Sequence, residues 1–331
     1  MRFCVATGAL ACSRAADTPA SLLRPSCPRG IRRFTALFQA RTAGRGRPAL
    51  HRPTRFARTI EKLSASATTI AAVQTSVSLT RVAGDQRRED DDFVVIEEPL
   101  EIRIGDKPVS VTLRTPGDDF DLAAGFLFTE SIVRNSEDIA AIRHWGSPNV
   151  VRVDLREGVQ VDLQKLQRHF YSTSSCGVCG KVTIDALRTQ AAPVESAIRV
   201  APAVVMTLPD ALRREQKTFD TTGGLHAAGI FDAQGSLLRI REDVGRHNAV
   251  DKVIGSYFRE GTPLDDSILV VSGRTSFEIV QKAIVARMAM LAAVGAPSSL
   301  AIDLARELGL TLLGFVRDGR FNVYAHPARV V

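Results

Sequence analysis

The sequence lacks any apolar run that approaches the roughly 20 residues of a membrane span, so it predicts a soluble protein with no membrane partner. It also lacks the GxxxxGK[ST] signature, and ATP hydrolysis therefore has no support. Cysteine is scarce, with five in 331 residues. Cys4, Cys12 and Cys27 fall near the N-terminus, which leaves Cys176 and Cys179 as the two cysteines in the rest of the chain.

Lysine and acidic residues are nearly absent from residues 1–60, which hold twelve arginines, no lysine and one acid, Asp17. That segment carries a charge of +11, whereas the whole chain carries +7, so residues 61–331 carry −4. The positive excess therefore lies outside the part that is expected to fold. We accordingly expect no nucleic-acid partner.

The arginine-rich segment has three interpretations. Residues 3–12 form a short apolar stretch with one preceding arginine, which is weak as a secretory signal. An organelle transit peptide shares the composition, and so does translated upstream sequence from a GC-rich gene. Under either of these two we predict that residues 1–75 form a disordered extension. Two accessible thiols without a secretion signal predict a cytoplasmic protein.

Hydrophobic patterns predict strands and helices in alternation from about residue 92 onward. The predicted strands are 93–96, 100–104, 109–113, 149–155, 225–231, 237–240, 268–271, 310–316 and 320–324. The predicted helices are 118–132, 182–187, 247–258, 277–293 and 298–308, with 191–205 as a connection. Strands that alternate with helices, plus two hairpins, predict a mixed-sheet α/β layered fold. We divide it into a smaller N-terminal β-rich part over 90–195, which ends in the cysteine pair, and an α/β domain over 200–331.

Cys176 and Cys179 lie three residues apart in the segment Ser174-Ser175-Cys176-Gly177-Val178-Cys179-Gly180-Lys181. The glycines leave both sulfurs open to approach, and Lys181 beside a predicted helix start favours thiolate over thiol. Persulfide carriage and dithiol redox chemistry both fit this description. A structural zinc site would need four ligands, and no His-x(3–5)-His pair follows. A structural disulfide would close a very short loop and would imply an oxidising compartment.

Two polar segments combine glycine with arginine at predicted helix starts. In 241–248, Arg246 and His247 lie beside a helix N-terminus, a setting suited to an anion or a nucleotide phosphate. Ser272-Gly273-Arg274-Thr275 follows a buried strand, and ligands of layered α/β proteins bind at the C-terminal ends of strands. An arginine at this position can bind a phosphate through two parallel hydrogen bonds. The structural alternative for both segments is an ordinary turn into a helix.

Two further segments are glycine-containing turns. Gly223 and Gly224 precede His226, and the double glycine allows a ligand to approach the backbone closely. Residues 314–321 form a tight turn between strands and carry two arginines. The structural alternatives are a turn that enters a strand and a charged hairpin.

These segments occur in the same order in the FdhD family, the formate dehydrogenase accessory sulfurtransferases, which the chain resembles over about residues 90–328. The resemblance rests on five segments. They are 175–180, 223–226, 242–252, 272–278 and 314–324. Four such motifs in one order, with the matching C-terminal ending, make the resemblance specific.

The resemblance implies a sulfur carrier that accepts persulfide sulfur from a cysteine desulfurase. The carrier passes it to the molybdenum of the bis-molybdopterin guanine dinucleotide cofactor, bound transiently as a client, before formate dehydrogenase receives that cofactor. Cys176 matches the family's persulfide carrier, with Cys179 as the second thiol. The family's cofactor contact falls on Phe315, Val316, Arg317, Asp318, Gly319 and Arg320. We add Ser272, Gly273, Arg274, Thr275, His226, Arg246 and His247 as further cofactor-binding candidates.

The resemblance also implies a cytidine-deaminase-like α/β/α fold, a homodimer and a cofactor-binding role for residues 200–331. The zinc signature of the deaminases is missing, so we expect neither deamination nor a structural metal. The alternative function is a non-catalytic regulatory module that binds zinc or a nucleotide.

Overall fold

The structure, a computed structural model, describes residues 72–161 and 192–331. The cysteine pair, the predicted helix over 182–187 and nearly all of the predicted extension over 1–75 lie outside these ranges. None of the helices in the described ranges is long and apolar enough to cross a membrane.

The described residues form strands and helices in alternation. The strands are β1 (Gln74–Ala83), β2 (Gln86–Val95), β3 (Glu98–Ile104), β4 (Lys107–Arg114), β5 (Ile139–His144), β6 (Val150–Leu155), β7 (His226–Phe231), β8 (Leu237–Asp243), β9 (Ile268–Val271), β10 (Met290–Ala293), β11 (Thr311–Arg317) and β12 (Arg320–Ala325). The α-helices are α1 (Asp119–Thr129), α2 (Pro202–Arg214), α3 (Lys217–Thr222), α4 (Arg246–Glu260), α5 (Phe277–Val285) and α6 (Ser299–Glu307).

The main sheet has six strands in the order β12-β11-β10-β9-β7-β8. Strands β9, β10 and β11 are parallel, and β7 and β12 run antiparallel to their neighbours. One face packs against α4, α5 and α6 through side chains such as Val250, Val280 and Leu304. The other face packs against α2 through Val205 and Leu208. Helices on both faces of a mixed sheet confirm the predicted layered α/β fold.

A second sheet has four strands in the order β4-β3-β6-β5, with β3 and β6 parallel. Leu122 and Leu127 of α1 cover its apolar face and are fully buried with Leu100 and Val151. Helix α1 therefore belongs to this second core, and its opposite side meets the main sheet's helix α4.

Helices α1 and α4 touch through their backbones at two glycines. A Cβ added at Gly125 would lie 1.9 Å from the carbonyl oxygen of Asp251, and one added at Gly255 would lie 1.9 Å from that of Asp121. No side chain larger than hydrogen fits at either position. This crossing joins the four-stranded sheet to the six-stranded sheet.

The predicted helix over 277–293 is wrong in its second half. Helix α5 ends at Val285, and residues 290–293 form the buried strand β10. Arg287 has a left-handed backbone (φ 59°), and the N–H of Met288 donates to the carbonyl of Ala283, a geometry that closes a helix. Hydrophobicity is continuous across the helix end and the strand, so the pattern alone could not separate them.

Other elements that were not predicted are helix α2, helix α3, strand β5 and most of the hairpin of β1 and β2. Helix α2 begins at Pro202, inside the predicted connection, with proline at a helix start where its missing N–H costs nothing. Strand β1 and most of β2 precede the predicted first strand, which begins at residue 93 and overlaps the end of β2. The hairpin of β1 and β2 is polar, so it has no hydrophobic pattern from which to predict strands. It is held by cross-strand bonds such as that of Ser78 to Asp91 and by the ion pair of Arg81 with Asp90.

We predict that Gly125→Ala lowers the free energy of unfolding by about 1–3 kcal/mol or more, because the added methyl group forces two packed helices apart. Urea denaturation followed by circular dichroism measures the loss. Ser256→Ala is the control on α4, because its hydroxyl donates only to Val253 of the same helix. Equal stability of the two variants would contradict the backbone contact.

Candidate functional site

Three loops lie side by side at the C-terminal ends of the parallel strands β9, β10 and β11. The N–H of Gly295, after β10, donates to the carbonyl of Gly273 at 3.1 Å. The N–H of Phe315, in β11, donates to the carbonyl of Gly295 at 3.1 Å. The predicted segment over 272–275 and the predicted segment over 315–320 are thus connected through one intervening loop. This edge is where layered α/β proteins bind ligands.

Strand β11 is distorted where it enters this edge. Its pairing with β12 shifts register between Gly314 and Arg317, and Phe315 has a left-handed backbone (φ 53°). A bulge of this kind redirects the side chains that follow it. Asp318 and Gly319 then form a tight turn, both with positive φ, as the Asp-Gly hairpin signature requires. Strained backbone in a bulky residue such as Phe315 is typical of functional sites.

A cavity of about 680 Å³ lies between these strand ends and helices α2 and α3. On the strand side it is lined by residues from three predicted segments. They are Gly223, Gly224, His226, Ser272, Arg317, Asp318 and Gly319. On the helix side it is lined by side chains that the sequence analysis did not propose. They include Met206, Pro209, Asp210, Arg213, Gln216 and Phe219.

His226 connects the cavity to the start of α4. A Cβ added at Gly273 would lie 3.4 Å from its Nδ1, so the ring packs on the glycine of the neighbouring loop. Burial lowers the pKa of His226, and the positive charge of Arg246 lowers it further, against the opposing effect of Asp243. The imidazole is therefore neutral at neutral pH and can hydrogen-bond a ligand without carrying charge.

His247 lies between the starts of α4 and α5. Its Nε2 lies 3.1 Å from Oγ of Ser276 and 3.8 Å from a carboxylate oxygen of Glu278. Burial, with Lys282 and Arg246 nearby, lowers the pKa of His247 to about 4. At neutral pH the imidazole is therefore uncharged, and its contact with Ser276 is a hydrogen bond. The cationic group at this helix start is Arg246, whose buried Nε has no partner within the described residues.

The turn before α4 is held by the fully buried carboxylate of Asp243. It accepts from the backbone N–H groups of Thr115 (3.2 Å) and Gly245 (2.8 Å), and from the side chains of Asn248 (3.0 Å) and Lys252 (2.8 Å). The carboxylate of Glu242 faces the other way and accepts from the first N–H groups of α3. Much of the polar density in 241–248 is therefore internal structure.

The chain belongs to the FdhD/NarQ family, whose model matches residues 95–331. It is 51% identical over 251 residues to the sulfur carrier protein FdhD of Streptomyces coelicolor, covering 72% of this chain and 89% of that protein. It is 42% identical over 255 residues to the Sulfolobus acidocaldarius protein of that name, covering 77% and 97%. A solved structure described as a formate dehydrogenase accessory protein, from Desulfotalea psychrophila, superposes with a TM-score of 0.65 at 25% identity. It covers 78% of this chain and all of that one.

The family match confirms the resemblance drawn from the motifs, and the structure separates the proposed site residues into groups. Val316 is fully buried in the main core, so its side chain supports the turn from inside. Arg274 is exposed beside the cavity loops, and Thr275 is buried with its hydroxyl unpartnered within the described residues. Cys176 and Cys179 lie outside the described residues.

The helix-side wall could have been found only in part from the sequence. Pro202 and the amphipathic pattern of 202–214 signal a helix whose apolar face packs on the sheet. Nothing in the sequence says that the next turn faces a ligand cavity. Within the described residues, no three histidine, cysteine, aspartate or glutamate side chains form a metal-binding group.

We predict that Lys252→Met lowers the free energy of unfolding by about 3–5 kcal/mol, because it leaves the buried Asp243 carboxylate without its cation. Glu260→Gln is the control, since it breaks an exposed ion pair with Arg239 that is worth less than about 1 kcal/mol. Urea titration of both variants measures the difference. If both variants lose a similarly small free energy of unfolding, the Asp243 network does not hold the turn.

Proposed function

We propose that this protein is a sulfurtransferase that carries sulfur as a persulfide on Cys176, with Cys179 as its second thiol. In this proposal a cysteine desulfurase supplies the sulfur. The recipient is the molybdenum of bis-molybdopterin guanine dinucleotide, which binds as substrate before it is inserted into formate dehydrogenase. The names of its relatives, sulfur carrier protein and formate dehydrogenase accessory protein, support this role.

The observation that carries the proposal is the cavity in which three predicted segments meet. Its volume of about 680 Å³ lies within the range of small-molecule sites. Arg317 on the strand side supplies a cation for pyrophosphate, and Ser272 and His226 supply uncharged polar groups. The glycines at 223 and 319 leave the backbone open to approach, since nothing lies within 4 Å of a Cβ built at either position.

We also propose that the protein acts as a homodimer, as its resemblance to the family implies. The cofactor has two guanine dinucleotide arms, and in this proposal each cavity holds one of them. Two copies of the chain would therefore bind the two arms.

Cys176→Ala should abolish sulfur loading. Incubation of the full chain with a cysteine desulfurase and cysteine should add the mass of one sulfur atom per persulfide, and mass spectrometry of the intact protein measures it. The matched control is Cys179→Ala, which should still load. If Cys176→Ala still loads sulfur and Cys179→Ala does not, the two cysteines have the opposite roles. A protein that retains zinc and carries no sulfane sulfur would favour the regulatory module.

Arg317→Ala should weaken binding of GDP, a partial mimic of one cofactor arm, by about ten- to a hundredfold, the cost of one lost charge-assisted contact. Arg274→Ala tests the neighbouring loop in the same assay. The control is Arg143→Ala on the four-stranded sheet, since the two side chains are similarly exposed, at 52% for Arg317 and 51% for Arg143. Isothermal titration calorimetry measures the affinities. Equal GDP binding by all four proteins would place the cofactor elsewhere.

A further inference from the structure

The turn between α2 and α3 places Gln216 in the wall of the cavity, and the Nε2 atom of its carboxamide is unpaired within the described residues. The side chain is 3% exposed, and its Nε2 makes no hydrogen bond within the described residues. A buried donor left without an acceptor costs about 1–3 kcal/mol of stability. Such a group in a native structure calls for an explanation, and an acceptor supplied by a bound ligand is one that fits a residue in a cavity wall.

Gln216 has no structural task that would explain its burial. It occupies the N-cap position of α3, but its side chain makes no capping bond. The capping is done by Glu242 of β8, whose two carboxylate oxygens accept from the N–H groups of Thr218 (3.3 Å) and Phe219 (3.2 Å). The backbone of Gln216 is already bonded to Arg213 and Asp220. The Nε2 atom is therefore available to a ligand in the cavity.

The two sides of the cavity differ in chemistry. The strand side carries Arg317, the group suited to phosphate. The helix side carries the ring of Phe219, with the guanidinium of Arg213 4.6 Å from its centroid, and apolar atoms of Met206. Aromatic and guanidinium planes are the surfaces on which nucleic-acid bases stack. The base of a bound nucleotide therefore belongs on the helix side, next to Gln216.

We infer that Gln216 is a specificity residue that donates a hydrogen bond to the 6-oxo group of a guanine base bound in this cavity. The inference rests on the proposed function and deepens it. Guanine presents an acceptor at position 6, whereas adenine presents an amino donor there. With Nε2 at this position the side chain pairs with guanine, whereas adenine would pair only if the carboxamide turned its Oε1 toward the base.

Gln216→Leu tests the inference, because leucine fills similar space without a donor. In calorimetric titrations of the full chain, the variant should bind GDP and IDP about tenfold more weakly, since both carry the 6-oxo group. Its affinity for ADP should not fall. The control is Gln234→Leu in the exposed turn between β7 and β8, which should bind all three nucleotides like the wild type.

Thermal denaturation separates this role from a structural one. Removing an unpaired buried donor should leave the melting temperature of the nucleotide-free protein unchanged or higher. A marked fall in melting temperature would show that Gln216 supports the fold instead. Equal weakening of GDP and ADP binding would overturn the specificity role.

The outcomes also distinguish this inference from the proposed function. If Arg317→Ala weakens the binding of GDP but Gln216→Leu does not, the proposed cofactor site is supported and the specificity role of Gln216 is wrong. If the wild type binds none of the three nucleotides, both fail, while sulfur loading on Cys176 is measured independently.

Discussion

Asp243 and Lys252 form an ion pair that is excluded from water, and the start of α4 depends on it. A buried carboxylate is tolerated only when its oxygens are fully bonded, and this one accepts from four donors that come from two parts of the chain. The donor of Thr115 follows β4, so the network also ties the four-stranded sheet to the turn. Arg246 and His247 come next in the chain, and their positions follow from this anchor.

The candidate site combines one wall that strand pairing fixes with another that helix capping fixes. Parallel pairing of β9, β10 and β11 aligns the loops that carry Ser272 and the bulge at Phe315. The opposite wall depends on Glu242, which caps α3 and so positions Phe219 beside the cavity. Consecutive residues of one motif, Glu242 and Asp243, thereby hold both the helix wall and the start of α4.

Much of the fold and part of the site could be predicted from the sequence. Buried strands such as 268–271 and glycine turns such as 223–226 have strong local signals, and the segments 272–275 and 315–320 do lie at one edge of the sheet. Local pattern could not show that α5 ends before β10, because both are apolar, nor that Asp243 faces inward. A segment rich in charged residues looks the same in the sequence whether those residues bind a ligand or bond to one another inside the protein. Gln216 carries no local signal, since its importance arises from long-range packing.

We propose above all that sulfur leaves Cys176 for a cofactor whose guanine arm is held in the cavity. The most direct measurement loads the full chain with radiolabelled persulfide sulfur and follows the label to bis-molybdopterin guanine dinucleotide, with and without excess GDP. The account predicts that GDP blocks the transfer while loading by the desulfurase proceeds normally. Transfer that continues at the same rate under saturating GDP would contradict it.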